Sequence, residues 1–201
     1  MRIMSNITTH LPGFHDPIHQ AQRTFRTLLD AHAHPGRVNK LTDNMTAPVG
    51  MNPACGAACL TLLDLDVSVW LEPSLRGEVR DWLLFQTGCR LSEYPQQADF
   101  AVIKDLQTMA DLSVFDRGIM EKPESSTTLL IQVASFEGGI PVMLRGPGIL
   151  HERAIAPVVP LSFWDFWSKN HQSYPLGVDG FLLSENSVIG LPRTVSVLTQ
   201  P

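Results

Sequence analysis

The chain has 201 residues, of which 44% are hydrophobic and 17% charged, and its formal net charge is −5. That length holds one well-buried domain, and the acidic balance argues against nucleic acid as the main partner, because phosphate binding needs a local excess of Lys and Arg. No stretch has the length and apolarity of a membrane span, and the first residues lack the apolar run of a secretory signal. Three cysteines, Cys55, Cys59 and Cys89, have no disulfide-framework or zinc spacing, so the expectation is reduced core thiols in a cytoplasmic protein. Only four basic residues are lysines (Lys40, Lys104, Lys122 and Lys169); the rest are arginines, which suit bidentate anion contacts and buried ion pairs.

In chain order, residues 1–10 read as a tail and residues 11–198 as one domain. Asp16-Pro17 starts a helix, with an N-cap acceptor followed by proline at the first helical position. Ile18, Ala21, Phe25, Leu28, Leu29 and His32 recur at helical spacing until Pro35-Gly36 stops the helix. Thr42 to Gly50 reads as a loop. Asn52-Pro53 repeats the cap signal and opens a second helix, Ala54 to about Leu63. Val67 to Leu71 predicts a strand, Leu75 to Gln86 a third helix ended by Gly88, and Phe100 to Ile103 a buried central strand. Lys104 to Leu112 reads as a weak helix. Thr127 to Ala134 and Pro141 to Arg145 predict a hairpin across Glu137-Gly138-Gly139, and Ser162 the cap of an aromatic-rich helix. Gly180 to Ser184 and Ser187 to Leu191 predict a last hairpin around Glu185-Asn186. The sum is an α/β fold, a single domain with a mixed β-sheet flanked by helices.

Few of the candidate constellations specify chemistry. Arg145-Gly146-Pro147-Gly148 places a guanidinium and backbone N–H groups near one point, as a phosphate or phosphonate needs. The same residues make a plain strand-exit turn, and neither a P-loop tail nor a GxGxxG accompanies them. Arg37 and Arg193 carry the same ambiguity between anion contact and ion-pairing arginine. His10, His15, His19, His32 and His34 cluster early without a metal-ligand pattern, so no metal site is assigned. His171 is a candidate acid–base partner of Asp165 or Asp179. No serine or cysteine has a nucleophile signature, and no catalytic residue is assigned.

An ordered set of segments carries a family resemblance. It runs Leu11-Pro-Gly-Phe14, Asp16-Pro-Ile-His19, Phe25-Arg26, Pro35-Gly-Arg37, Leu60-Thr-Leu-Leu-Asp64, Val69-Trp-Leu71, Gln97-Ala-Asp-Phe100 and Thr128-Leu-Leu-Ile-Gln-Val133. Leu144-Arg-Gly-Pro-Gly-Ile149, Phe163-Trp164, Tyr174-Pro-Leu-Gly-Val-Asp179 and Leu191-Pro-Arg-Thr194 complete it. The chain so resembles the PhnH family, a subunit of the bacterial carbon–phosphorus lyase system. The resemblance implies a fold similar to the pyridoxal-phosphate transferases but without that cofactor. It implies a homodimer that joins the PhnG, PhnI and PhnJ subunits. The assembly uses ATP, displacing adenine to give an α-D-ribose 1-phosphonate 5-triphosphate, and its radical-SAM chemistry and iron–sulfur cluster belong to a partner. No catalytic residue can be carried over. Two readings follow. One is a structural or co-catalytic subunit docking partners through the aromatic stretch Phe163 to Trp167. The other is a stand-alone binder of a phosphate or phosphonate through Arg145, Gly146, Gly148, Arg193 and Arg37.

Overall fold

A computed structural model describes residues 11–41, 45–109 and 111–199. The expected tail at residues 1–10, with His10, and positions 42–44 of the expected loop lie outside the described residues. Among the described residues four α-helices form: α1 (Pro17–Ala33), α2 (Pro53–Leu62), α3 (Glu78–Thr87) and α4 (Leu161–Gln172). The strands are β1 (Asn39–Lys40), β2 (Ser68–Leu71), β3 (Arg90–Ser92), β4 (Phe100–Ile103), β5 (Thr128–Gln132), β6 (Val142–Arg145), β7 (Arg153–Ile155), β8 (Asp179–Ser184), β9 (Ser187–Leu191) and β10 (Ser196–Thr199).

The main sheet has seven strands in the order β1-β9-β8-β5-β4-β2-β3. Strands β3, β2, β4, β5 and β8 run parallel, and β9 and β1 close one edge antiparallel. The parallel strands are buried on both faces, which is why Phe100–Ile103 and the Leu129-Leu130-Ile131 centre of β5 are continuously apolar rather than alternating. Alternate residues feed two cores. Val69, Leu71, Val102, Leu130 and Leu183 pack with α1, α2 and α3 residues such as Leu28, Cys55, Cys59 and Trp82. Ala101, Ile103, Leu129, Ile131 and Leu182 pack with Phe163, Trp164 and Trp167 of α4 and with Val142 and Leu144 of a second sheet. That second sheet has three antiparallel strands in the order β10-β6-β7.

Local caps act where the sequence places them. The Asp16 carboxylate accepts from the backbone N–H of His19 at 3.3 Å, and Asn52 Oδ1 accepts from that of Cys55 at 2.8 Å. The Glu185-Asn186 turn joins β8 to β9, with Glu185 at φ 48°. Its carbonyls hold other elements: Glu185 O accepts from Ala54 N at 2.8 Å and Asn186 O from Leu41 N at 2.8 Å.

Three local expectations fail. The predicted hairpin of Thr127 to Ala134 with Pro141 to Arg145 does not form, because β5 pairs with β4 and β8 whereas β6 crosses to β7 and β10. A chain buried on both faces finds its partners inside the parallel sheet, and turn chemistry alone does not report that. Among the described residues of the Lys104 to Leu112 stretch, a 3-10 turn at Leu106–Thr108 stands in place of the expected helix, with another at Leu112–Val114. Helix α4 begins at Leu161 behind Pro160, so Ser162 lies inside its first turn and does not cap it.

Candidate functional site

The parallel strands reverse their order of addition at β2, and doubly wound sheets commonly bind ligands in the crevice beyond the carboxyl ends at such a point. Here Glu72, which follows β2, fills it. Its Oε2 accepts from the backbone N–H groups of Lys104 and Asp105 at 2.7 and 2.6 Å, and its Oε1 accepts from Ser74 Oγ at 2.7 Å. With 6% of its surface exposed, this carboxylate takes the donors an anion would need.

A hollow of about 460 Å³ lies at the opposite end, where β8 begins. His32 and Ala33 from the last turn of α1 form one wall. Pro123 and Glu124, Pro147 and Gly148, Tyr174 and Pro175, and Pro192 to Thr194 supply the loops, with Asp179 at the floor. Asn170 of α4 sets the approach to that floor: its amide donates to Val178 O at 2.9 Å and accepts from Val178 N at 2.8 Å. The Gly146-Pro147-Gly148 corner seats directly on the end of α1. Gly148 has φ 81°, and a Cβ there would come within 2.1 Å of the Ala33 carbonyl oxygen. Gly146 has φ 152°, and its Cβ would meet Thr194 O at 2.9 Å. Only glycine permits both the conformation and the approach.

Arg193 organises the floor. It is 8% exposed, and all five guanidinium N–H groups are committed. Nε and Nη2 donate to Asp179 Oδ2 at 3.1 and 2.5 Å, Nη1 to Pro123 O at 2.8 Å and Pro175 O at 3.3 Å, and Nη2 also to Ser126 Oγ at 2.5 Å. Its backbone N–H donates to Asp179 Oδ1 at 2.8 Å. Burial alone would raise the Asp179 pKa, but the facing His32 imidazole, the Arg193 hydrogen bonds and the Arg193 charge together hold it below the ordinary carboxylate value. His32 Nε2 lies 3.9 Å from Asp179 Oδ1, and its ring packs on Phe181 with centroids 5.0 Å apart. His32 Nδ1 is buried without a partner among the described residues.

The sequence-derived candidates scatter around this hollow. Gly148 and Arg193 line it, and Gly146 supports the same corner. Arg145 does not line it: its guanidinium turns to Glu152, with Nε donating to Oε1 at 2.7 Å. Arg37 pairs with Asp30 and donates to Asn39 Oδ1 at 3.2 Å. His171 meets neither aspartate suggested for it; its Nδ1 lies 3.0 Å from the Arg193 carbonyl oxygen. The aspartate is reached from α1 instead, by His32, which the sequence reading left among the unpatterned histidines. Phe163, Trp164 and Trp167 are core side chains, so the proposed aromatic docking stretch is mostly unavailable to a partner. Cys55, Cys59 and Cys89 are buried free thiols. Cys59 is pushed well up by its hydrogen bond with Cys55 and by burial, the opposite of an activated nucleophile.

The segments that converge here are Leu144–Ile149, Tyr174–Asp179 and Leu191–Thr194, three that carried the resemblance stated from the sequence. Residues 12–198 match the family described as bacterial phosphonate metabolism protein, PhnH. The chain belongs to the PhnH family. A relative from Rhizobium meliloti (strain 1021), "Alpha-D-ribose 1-methylphosphonate 5-triphosphate synthase subunit PhnH", is 37% identical, covering 92% of this chain and 94% of the relative. A Stutzerimonas stutzeri protein, "Putative C-P lyase subunit protein HtxG", is 32% identical over 88% of this chain and 85% of its own length. In this PhnH-family chain the hollow is the place where segments distant in sequence meet, and its one arginine is consumed internally. The residues present hold a carboxylate in a fixed orientation; they do not present a free cation to a phosphonate.

Proposed function

We propose that this PhnH-family chain is a subunit of a C–P lyase-type assembly for alkylphosphonate catabolism. In that role it supports transfer of a phosphonate to ribose C1 of ATP with release of adenine, and a partner subunit then breaks the carbon–phosphorus bond. The observation that carries this reading is the 37% identity, over nearly all of both chains, to a relative named as a synthase subunit. The role is structural or co-catalytic. The chain works as a homodimer in the cytoplasm beside PhnG, PhnI and PhnJ subunits and uses no cofactor of its own.

The surface of α1 supports partner docking better than the aromatic stretch does. Ile18, Phe25 and Leu29 share one helix face and are 79%, 49% and 60% exposed. An exposed apolar row of this kind is a candidate contact surface. The deciding experiment is co-expression of the tagged chain with the candidate partner subunits. Recovery of a stoichiometric assembly that makes the ribose phosphonate only when this chain is present is the expected result. Full assembly and turnover without the chain would refute the reading.

A further inference from the structure

The hollow at the start of β8 holds chemistry that the subunit role leaves unused, and its charge balance runs against an anion. Asp179 and Glu124 are two carboxylates on its lining, and Arg193 is the one formal cation there. All five N–H groups of Arg193 are spent on Asp179, Ser126 and two carbonyls, so it offers no donor to an incoming group. Glu124 is exposed and has no ion pair among the described residues. His32 directs Nε2 at Asp179, 3.9 Å from Oδ1, so this carboxylate oxygen faces a ring of the same chain. The C-terminal end of α1 adds the negative end of a helix dipole through His32 and Ala33. Arg153 donates to the His34 and Pro35 carbonyls at that helix end, but it does not line the hollow. The remaining walls are the rings of Pro123, Pro147, Pro175, Pro192 and Tyr174, flat surfaces suited to an apolar stem and, at Tyr174, to a cation over its face.

We propose that this hollow binds an organic cation, an ammonium or guanidinium on a short apolar stem, and excludes phosphate and phosphonate groups. The cation sits between Glu124 and the ring of Tyr174, with its stem along the prolines. The inference is independent of the subunit role, because it is read on the isolated chain. The same chemistry reaches the site either as a small amine or as an arginine or lysine side chain of another protein.

The test is an amide NMR titration of the full chain with ethylguanidinium, ethylammonium, methylphosphonate and inorganic triphosphate at matched ionic strength. Saturable shifts at Glu124, Gly148, Tyr174 and Thr194 with the two cations, and none there with the two anions, are the expected outcome. Glu124→Gln, an exposed change that leaves the floor intact, weakens cation binding roughly fivefold, as loss of one partly screened charge pair requires. Tyr174→Ala weakens it by a similar factor. A capped tetrapeptide with one arginine identifies the source. Binding more than tenfold tighter than ethylguanidinium indicates a protein side chain, and equal binding a small molecule. Saturation of those resonances by either anion, or cation binding indifferent to Glu124→Gln, overturns the proposal.

Discussion

Arg193 shows how a residue flagged from sequence for one task is spent on another. The Leu191-Pro-Arg-Thr194 segment suggested an anion contact, and the anion proved to be Asp179 of the same chain. Sequence separation hides such a pairing, because nothing local to Arg193 announces a carboxylate 14 positions away. Truncating it leaves Asp179 without its counter-charge in a mostly buried place. Arg193→Ala therefore costs about 3–5 kcal/mol of stability, read from denaturant unfolding. Arg193→Lys recovers little of that, since one ammonium cannot replace five hydrogen bonds to four acceptor atoms arranged for a fork. An alanine variant within 1 kcal/mol of the parent, by the measure of that same range, refutes the account. The depressed Asp179 pKa adds a pH dependence. Its ionised form is favoured in the folded state, so its contribution is complete above the ordinary carboxylate value of about 3.9. It is lost as pH falls from there toward the lower folded value. Thermal melts of the parent from neutral to acid pH fall more steeply than those of Asp179→Asn, although the variant starts from a lower melting temperature. Parallel curves for the two proteins would exclude Asp179 as a source of acid lability.

At the scale of elements, legibility followed the range of the interaction that fixes each one. Helices α1 and α2 were readable because Asp16 and Asn52 cap them within three residues, and the β8–β9 hairpin because its turn spans two. Strands β1, β3, β7 and β10 are two to four residues long and gain their identity from partners far along the chain, so no periodicity marks them. The false β5–β6 hairpin failed for the same reason. Asn52 joins both kinds of information. Besides capping α2, its side chain donates to Leu183 O at 2.9 Å, and its backbone N–H donates to Gln132 Oε1 at 2.6 Å, tying the helix to β8 and β5. Asn52→Ala should cost about 1 kcal/mol for the cap and a further ~1 kcal/mol for the Leu183 carbonyl. Asn52→Ser keeps an acceptor for Cys55 and recovers roughly the first part only. Equal unfolding midpoints for the serine and alanine variants would show that the cap contributes nothing here.

For the whole molecule, the question is which surface meets the rest of an assembly. The aromatic stretch that looked suited to docking is consumed in packing α4 against the sheet, with Phe163, Trp164 and Trp167 each at most 2% exposed. Helix α1 does the reverse: it buries Gln20, Thr24, Leu28 and Ala31 and leaves Ile18, Phe25 and Leu29 outside. Sequence periodicity marked Ile18, Phe25, Leu28 and Leu29 alike as apolar helix positions and could not separate the face that turns inward. Because Phe25 and Leu29 are already about half exposed, replacing both by glutamate should change folding stability little, within about 1 kcal/mol for two surface changes. The same pair of charges, buried against a partner, would face the full cost of desolvating unpaired carboxylates. The Phe25→Glu, Leu29→Glu variant is therefore expected to keep its melting temperature and helical content while losing co-purification with the partner subunits. Phe163→Ala gives the opposite pattern, a loss of about 3–5 kcal/mol from the core with no direct effect on the docking face. Retention of the double-glutamate variant in the assembly at parental stoichiometry would remove α1 from the interface and return it to solvent.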